Sequence, residues 1–355
     1  MRQSNAAANF TSTWAWENKI LRQFDIHMGV YYILKERFAL SAQMVVRAIA
    51  KVADAYKLDR KRKREFKPLG AITYDERVLS WKLSASTVSI WTMQGRQTID
   101  FLTGEYQRSL LLSRQGETDL CYIKGAFYIF ATCNIEEPDS IEVEGVLGVD
   151  LGVVNLATDS DGQTYSGSHL NSLRRRHRRL RRKLQKKGTK SARRLLKKWS
   201  GRESRFARNT NHVISKCIVS KAQGTKRAIA LENLQGIRSR VTVRRRQRDT
   251  LHSWAFFDLR QKISYKAALL GVPVILVDPR NTSRTCPACG WVDRRNRPSR
   301  DVFKCVSCGF AGAADTVAAE NISRAAVNQP YVRDLPQLVS PSSSSYKPAT
   351  SVAGC

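Results

Sequence analysis

Acidic residues are scarce in this chain. Its 355 residues carry 30 aspartates and glutamates against 61 lysines and arginines, a formal net charge of +31. So large a charge destabilises a compact state by self-repulsion unless a polyanion neutralises it. Nucleic acid is the expected polyanion, held through many phosphate contacts and counterion release. An anionic membrane is the rival, but the sequence has no amphipathic anchor or lipidation signal. Long apolar runs are missing too, and none approaches the roughly 20 residues that span a bilayer. The opening MRQSNAAANFTSTWAWENK lacks the continuous apolar core of a secretory signal. A disulfide framework is absent as well. Of eight cysteines, Cys121, Cys133, Cys217 and Cys355 are scattered and only four form close pairs, a pattern of a reducing cytosol with one metal site. Histidine is limited to five residues, which leaves little for a histidine-based nuclease.

What is present changes period along the chain. No proline precedes Pro68, and apolar residues recur at helical spacing from LRQFDIHMGVYYILKERF onward, so residues 1–66 read as a helical lobe ending in the basic run KLDRKRKREFK. No strand is expected ahead of these helices. Residues 67–140 alternate apolar and polar side chains between turn-forming breaks, as in an antiparallel sheet or small barrel. From residue 141 the order becomes strand, hairpin, basic helices over 171–223, strand, helix and strand, a mixed α/β layer domain running to 284. A cysteine-rich insert fills 285–310, a last helix 311–328, and the Ser- and Pro-rich stretch 329–355 reads as a disordered tail. The loop IRSRVTVRRRQRD reads as mobile.

Three carboxylates stand where buried elements stop. GVDLG ends a strand at Asp150, ALENL ends another at Glu232, and AADTVAAENI opens a helix at Asp315. An isolated acid at the end of a buried element is costly unless it is paired or holds a cation. Each one alone reads as a solvated strand end or helix cap. Together, on a basic chain, they point to a divalent-metal site acting on phosphodiesters. Two Mg²⁺ ions about 4 Å apart both activate a water and stabilise a leaving oxygen. Hard, small cations take carboxylate and water oxygens. If the two strands are neighbours, Asp150 and Glu232 leave one sheet edge into solvent. Small Ala318 and Ala319 let the last helix come close and bring Asp315 to them.

The pairs Cys286/Cys289 and Cys305/Cys308 form the four-thiolate pattern of a zinc ribbon, with Gly290 and Gly309 freeing the backbone after each knuckle. A redox C-x-x-C is the alternative. One structural Zn²⁺ would fold an insert with too few apolar residues to fold alone. Arg294, Arg295, Arg297 and Arg300 between the knuckles are within the insert and available to phosphate. The run RRRHRRLRRKLQKKGTKSARRLLKKW suggests two helices broken near Gly188. Like charges at i, i+4 destabilise a free helix, and a phosphate backbone removes that cost. Arg174, Arg175, Arg178, Arg181 and Arg182 are its candidate contacts. Trp81, Trp91, Tyr74 and Tyr106 are read as core rather than as stacking platforms.

GVDLGVVNLATDSDG, ALENLQGI, the segment LHSWAFF…TCPACG and FKCVSCGFAGAADTVAAENI together resemble the C-terminal half of TnpB proteins, over roughly residues 146–326. These are transposon-encoded RNA-guided DNA endonucleases, related to type V CRISPR effectors. The resemblance implies an RNase H-like (RuvC) nuclease domain with an inserted zinc ribbon, preceded by a helical recognition lobe and a wedge-like β-barrel. It implies that Asp150, Glu232 and Asp315 are catalytic magnesium ligands and that the partners are a guide RNA and target double-stranded DNA. Base pairing would read sequence while the protein reads a flanking motif and duplex shape. A cytoplasmic, nucleoid-associated prokaryotic protein follows from it. A guided binder that does not cut, and a transposase-type strand transfer at the same acids, are the alternatives.

Overall fold

A computed structural model describes residues 1–234 and 256–328 of the chain; the expected mobile loop and tail lie outside the described residues. Two compact units divide at Ile135/Glu136. Among the described residues no helix is long and apolar enough to cross a membrane.

The first unit opens with α1 (Arg2–Glu17), α2 (Gln23–Phe38) and α3 (Ala42–Leu58). Helix α3 turns Val45, Ile49, Val52 and Tyr56 inward at i, i+3, i+4 spacing, and all four are fully buried. Helix α1 meets it with small residues, Ala7, Ala8, Thr11, Ser12 and Ala15. The buried hydroxyl of Ser12 lies 3.0 Å from Tyr56 Oη, so neither polar group is stranded. Asn9 donates to Phe66 O and accepts from Phe66 N, at 2.9 and 2.7 Å, which folds the basic run back onto α1.

The β-rich part holds β1 (Ile72–Tyr74), β2 (Leu79–Lys82), β3 (Thr87–Thr92), β4 (Gly95–Asp100), the short α4 (Glu105–Leu110), β5 (Arg114–Ile123) and β6 (Ala126–Cys133). Of the expected antiparallel sheet or small barrel, the sheet is what forms. Two three-stranded antiparallel sheets form, β1-β5-β6 and β2-β3-β4, and among the described residues no ladder joins them. Ile72, Tyr74, Val78, Leu79, Val88 and Ile90 share one apolar core with the three helices. Short strands with one apolar face bury that face on the helices rather than by closing on themselves. Tyr74 and Trp81 belong to this core as expected. Trp91 and Tyr106 do not, being 37% and 61% exposed.

The second unit is built on a five-stranded sheet in the order β11-β10-β7-β8-β9. Its strands are β7 (Gly145–Asp150), β8 (Asn155–Asp159), β9 (Thr164–Ser166), β10 (Arg227–Glu232) and β11 (Val274–Val277). The segment read as one hairpin supplies three strands, because the chain also turns at Leu151–Val154 before the turn at Ser160–Gly162. Strands β10 and β11 run parallel to β7. Between the hairpin and β10 come α5 (Ser168–Lys187), α6 (Lys190–Trp199) and α7 (Arg202–Gly224). The break falls at Gly188, whose φ of +64° suits glycine. Helix α8 (Phe256–Ala268) leads into β11. After the cysteine insert, α9 (Ala314–Asn328) closes the unit.

The sheet has two covered faces. Leu147, Val149, Ile229 and Leu231 pack with Ile214 and Ile218 of α7 and Leu259 and Ile263 of α8. The other face packs Val146, Ala230 and Val277 against Ile322 and Ala326 of α9. Strand alternation therefore assigns Val146, Gly148 and Asp150, and Ala228, Ala230 and Glu232, to the α9 side.

Candidate active site and metal centres

Gly148 decides how close α9 comes. A Cβ built there would stand 2.0 Å from Ala319 O and 2.6 Å from Ser323 N, so only glycine admits the helix backbone. Ser323 Oγ donates to Val146 O at 2.8 Å and fixes the register of helix on strand. The small-residue contact expected from the helix side, at Ala318 and Ala319, is thus completed by a missing side chain on the strand.

Asp150 and Glu232 sit side by side. The parallel ladder pairs Val149 with Leu231, one step before both acids. Both lie at their strand ends on the α9 side of the sheet and are half-buried, and Asp315 in the first turn of α9 adds its charge to theirs. The electrostatics record the meeting. Burial first, then the charges of Glu232 and Asp315, push the Asp150 carboxyl up to about 7. Arg297 and the Leu151 N–H act in the opposite direction. Burial also raises Glu232, against the pull of a hydrogen bond from Thr282.

Neutral side chains aim these acids. Asn155 Nδ2, from β8, donates to Asp315 Oδ2 at 2.8 Å. Thr282 Oγ1 donates to Glu232 Oε1 at 2.6 Å. Asn321 of α9 donates to Thr282 O and Thr285 O, both at 2.8 Å, and ties the helix to the turn that holds Glu232. Sequence reading missed all three. Asn155, three residues past GVDLG, and the buried Asn321 of AENI carried a signal only in hindsight of the topology.

Among the described residues, only Cys286, Cys289, Cys305 and Cys308 place three or more candidate ligand atoms within 4.8 Å of one another. Cys286 and Cys308 Sγ lie 3.6 Å apart, as do Cys289 and Cys305. Sulfurs at ~2.3 Å around a tetrahedral ion stand roughly 3.8 Å apart, so the quartet fits zinc and not disulfides. The Cys308 N–H leads the contacts that lower the Cys305 thiol, while the neighbouring sulfurs push Cys308 the other way, as expected of thiols crowded together without an ion. The three carboxylates are spread more widely. That suits a two-ion centre, where ligands on opposite ions stand up to ~8 Å apart. The donor set, oxygens only and repelling one another, fits hard cations.

The ribbon is wired to the acids. Its strands β12 (Val302–Lys304) and β13 (Ala311–Ala313) pair antiparallel, and β13 runs straight into α9. Fully buried Phe303 packs with Ala314 and Val317 on either side of Asp315. Buried Asn296 donates to Arg284 O at 2.8 Å and Trp291 O at 3.1 Å, and accepts from Val306 N.

The basic helices present some of their arginines outward and hold one inward. Arg175, Arg178, Arg181 and Arg182 are exposed on α5. Arg174 is turned inward, its side chain 11% exposed and 3.4 Å from Glu203, because the helix must seat on α7 at that point. Its charge is committed within the protein.

Comparison with known proteins agrees with this architecture. Residues 132–235 match the family described as "Probable transposase", of the OrfB/IS605 type, and residues 256–322 match "Cas12f1-like, TNB domain". A CRISPR-associated endodeoxyribonuclease Cas12f1 of Sulfoacidibacillus thermotolerans is 30% identical over 68% of this chain and 59% of its own length. The TnpB-like protein MJ0751 of Methanocaldococcus jannaschii is 29% identical over 63% of this chain and 85% of its own. The chain spans 59% and 37% of the first two Cas12f1 relatives. A cryo-EM structure of a Cas12f1–sgRNA–target DNA complex superposes with a TM-score of 0.60 at 16% identity, covering 91% of this chain and 81% of that one. The likeness is one of fold.

Proposed function

For a chain that belongs to the TnpB family, we propose RNA-guided cleavage of DNA, performed at Asp150, Glu232 and Asp315 with two Mg²⁺ ions. The observation that carries the reading is the single face shared by these acids. Strand alternation and the α9 contact at Gly148 bring them together, and Asp150 feels both of the others.

Asp150, at the centre, would hold both ions, with Glu232 and Asp315 holding one each. When bound, such ions lower the pKa of a water and neutralise charge on the leaving oxygen. The protein's own part is positioning. Asn155 fixes one Asp315 oxygen and leaves the other free to ligate. Thr282 does the same for Glu232. Arg297 brings a positive charge towards Asp150 from the ribbon. There it counters the negative charge that gathers on the phosphate in the transition state. The zinc ribbon, with four thiolates and no open ligand position, is structural and seats the start of α9.

A guide RNA and target double-stranded DNA are the proposed partners. Arg175, Arg178, Arg181 and Arg182 would hold backbone phosphates without reading sequence. A binder that never cuts has no use for three converging acids, and all three are present.

Purification with co-bound RNA, sequencing of that RNA, and incubation with matching DNA test the proposal. Cleavage in Mg²⁺, none in EDTA and none by Asp150→Ala is the expected result. Equal cutting by Asp150→Ala refutes the site. Joined rather than hydrolysed products point to strand transfer, and RNA-free protein counts against the guide.

A further inference from the structure

The cysteine quartet has an inside and an outside. Cys286 and Cys305 are buried, at 1% and 3% exposure, while Cys289 and Cys308 are exposed. Each exposed sulfur faces a buried one of the opposite knuckle at 3.6 Å, Cys289 against Cys305 and Cys308 against Cys286. We propose that this arrangement is a redox switch: a peroxide oxidises the exposed thiolates, disulfides close across the knuckles, the quartet no longer holds zinc, and Asp315 loses its place beside the other acids. The oxidation stands on the ribbon alone; its effect on cleavage rests on the proposed nuclease reading.

The chemistry follows from the ligands. Four thiolates more than neutralise one Zn²⁺, so a bound sulfur at the surface remains a nucleophile. The insert from Thr285 to Phe310 carries five cations against two acids, the electropositive setting of reactive cysteines. An exposed thiolate attacks one oxygen of hydrogen peroxide. The O–O bond breaks, hydroxide departs and a sulfenic acid remains. The facing buried thiolate then attacks that sulfur. An S–S bond forms, the S–O bond breaks and a second hydroxide departs. Two thiolates are oxidised and one peroxide is reduced for each disulfide. The sulfurs close by only about 1.6 Å to reach disulfide length. Each closure removes two thiolate ligands from the ion.

The consequence for the acids is built into the packing. Strand β13 ends at Ala313 and α9 begins at Ala314, so Asp315 follows the ribbon directly. The ribbon core consists of Cys286, Phe303, Cys305, Ala314 and Val317. Two of those five are zinc ligands and two flank Asp315. Oxidation therefore opens the same small core that seats the start of α9. Cys217, exposed on α7 and outside the quartet, is an internal control.

The guide-loaded full chain, purified with zinc and treated with hydrogen peroxide, tests this. A chromophoric chelator reads zinc release, peptide mass spectrometry reads the linkages, and hydrogen exchange reads order. One zinc per chain should be released as Cys289–Cys305 and Cys286–Cys308 linkages form. The ribbon and the first turn of α9 should lose protection while the first unit keeps its own. Cleavage of matching DNA should fall at least tenfold, and dithiothreitol with Zn²⁺ should restore it. Cys217→Ser should respond as wild type does. Zinc retained at peroxide levels that oxidise Cys217 overturns the switch, as do linkages formed only within each knuckle. The double variant Cys289→His with Cys308→His keeps a two-thiolate, two-imidazole zinc site without an exposed thiolate. It should hold zinc where wild type loses it, and release at the wild-type rate overturns the proposal. Should that variant fail to fold, the wild-type zinc and linkage readouts decide alone. Zinc loss with unchanged cleavage overturns the coupling to Asp315. A reduced, zinc-loaded wild type that never cuts overturns the nuclease reading instead.

Discussion

The two candidate metal centres of the second unit are made in opposite ways. The thiolate centre draws all its ligands from residues 286–308, at two tight knuckles, and its four sulfurs already lie within 4.8 Å of one another. The carboxylate centre draws on two strands and a helix, from Asp150 to Asp315, and stays wider. Glu232 and Asp315 raise the proton affinity of Asp150. A ribbon with so small a core depends on its ion for folding. The acid centre depends on a fold that forms without the ion and pays for keeping like charges together. The one should lose structure when damaged, the other chemistry.

Removing zinc is the strongest way to break this contrast. Cys305→Ser, or a chelator, should take bound zinc from one ion per chain to none. The ribbon should lose amide protection while the first unit keeps its own, read by hydrogen exchange. Because β13 runs into α9, cleavage should fall with it. At the other centre, Glu232→Gln and Asp315→Asn should each lower the cleavage rate by about 10³-fold or more, ~4 kcal/mol of barrier. Thermal melting should be unchanged or raised.

That last expectation has a pH form. The Asp150 carboxyl, lifted from 3.8 to about 7, binds its proton more tightly folded than unfolded. Without divalent ions, its contribution to stability is therefore full below pH ~4 and is lost as pH rises towards 7, by up to about 4 kcal/mol. Asp150→Asn should flatten that slope in denaturant titrations, and Mg²⁺ should restore stability at the upper end. Gly148→Val sharpens the comparison from the packing side. It should cost about 1–3 kcal/mol of stability by overpacking and reduce cleavage by moving Asp315, with zinc still bound. The smallest effect belongs to Asn155→Ala. The Mg²⁺ needed for half-maximal rate should rise roughly tenfold or more, with near-normal rates recovered at high Mg²⁺, as befits a residue that orients a ligand.

Much of this was legible in the chain because the signals were local. The cysteine spacing identified the ribbon, and the strand ends GVDLG and ALENL identified two acids. The period-3.6 pattern identified the N-terminal helices. What stayed hidden depends on contacts distant in sequence. Gly148 looks like any strand glycine until α9 lies across it. Thr282 and Asn321 acquire a role only when the turn after β11 meets β10. Arg174 is one arginine among many until Glu203 arrives from another helix. The choice between sheet and barrel was left open for the same reason. Alternation shows that a strand has an apolar face but not whether a sheet or a helix covers it, and here helices do.

Binding of Mn²⁺ in place of Mg²⁺, followed by electron paramagnetic resonance on the zinc-loaded chain, probes the carboxylate centre most directly. Two manganese ions should bind per chain with the strong spin coupling of a pair about 4 Å apart, and Asp150→Asn should abolish the coupled signal. A single isolated ion, or a coupled pair that survives Asp150→Asn, would contradict the account.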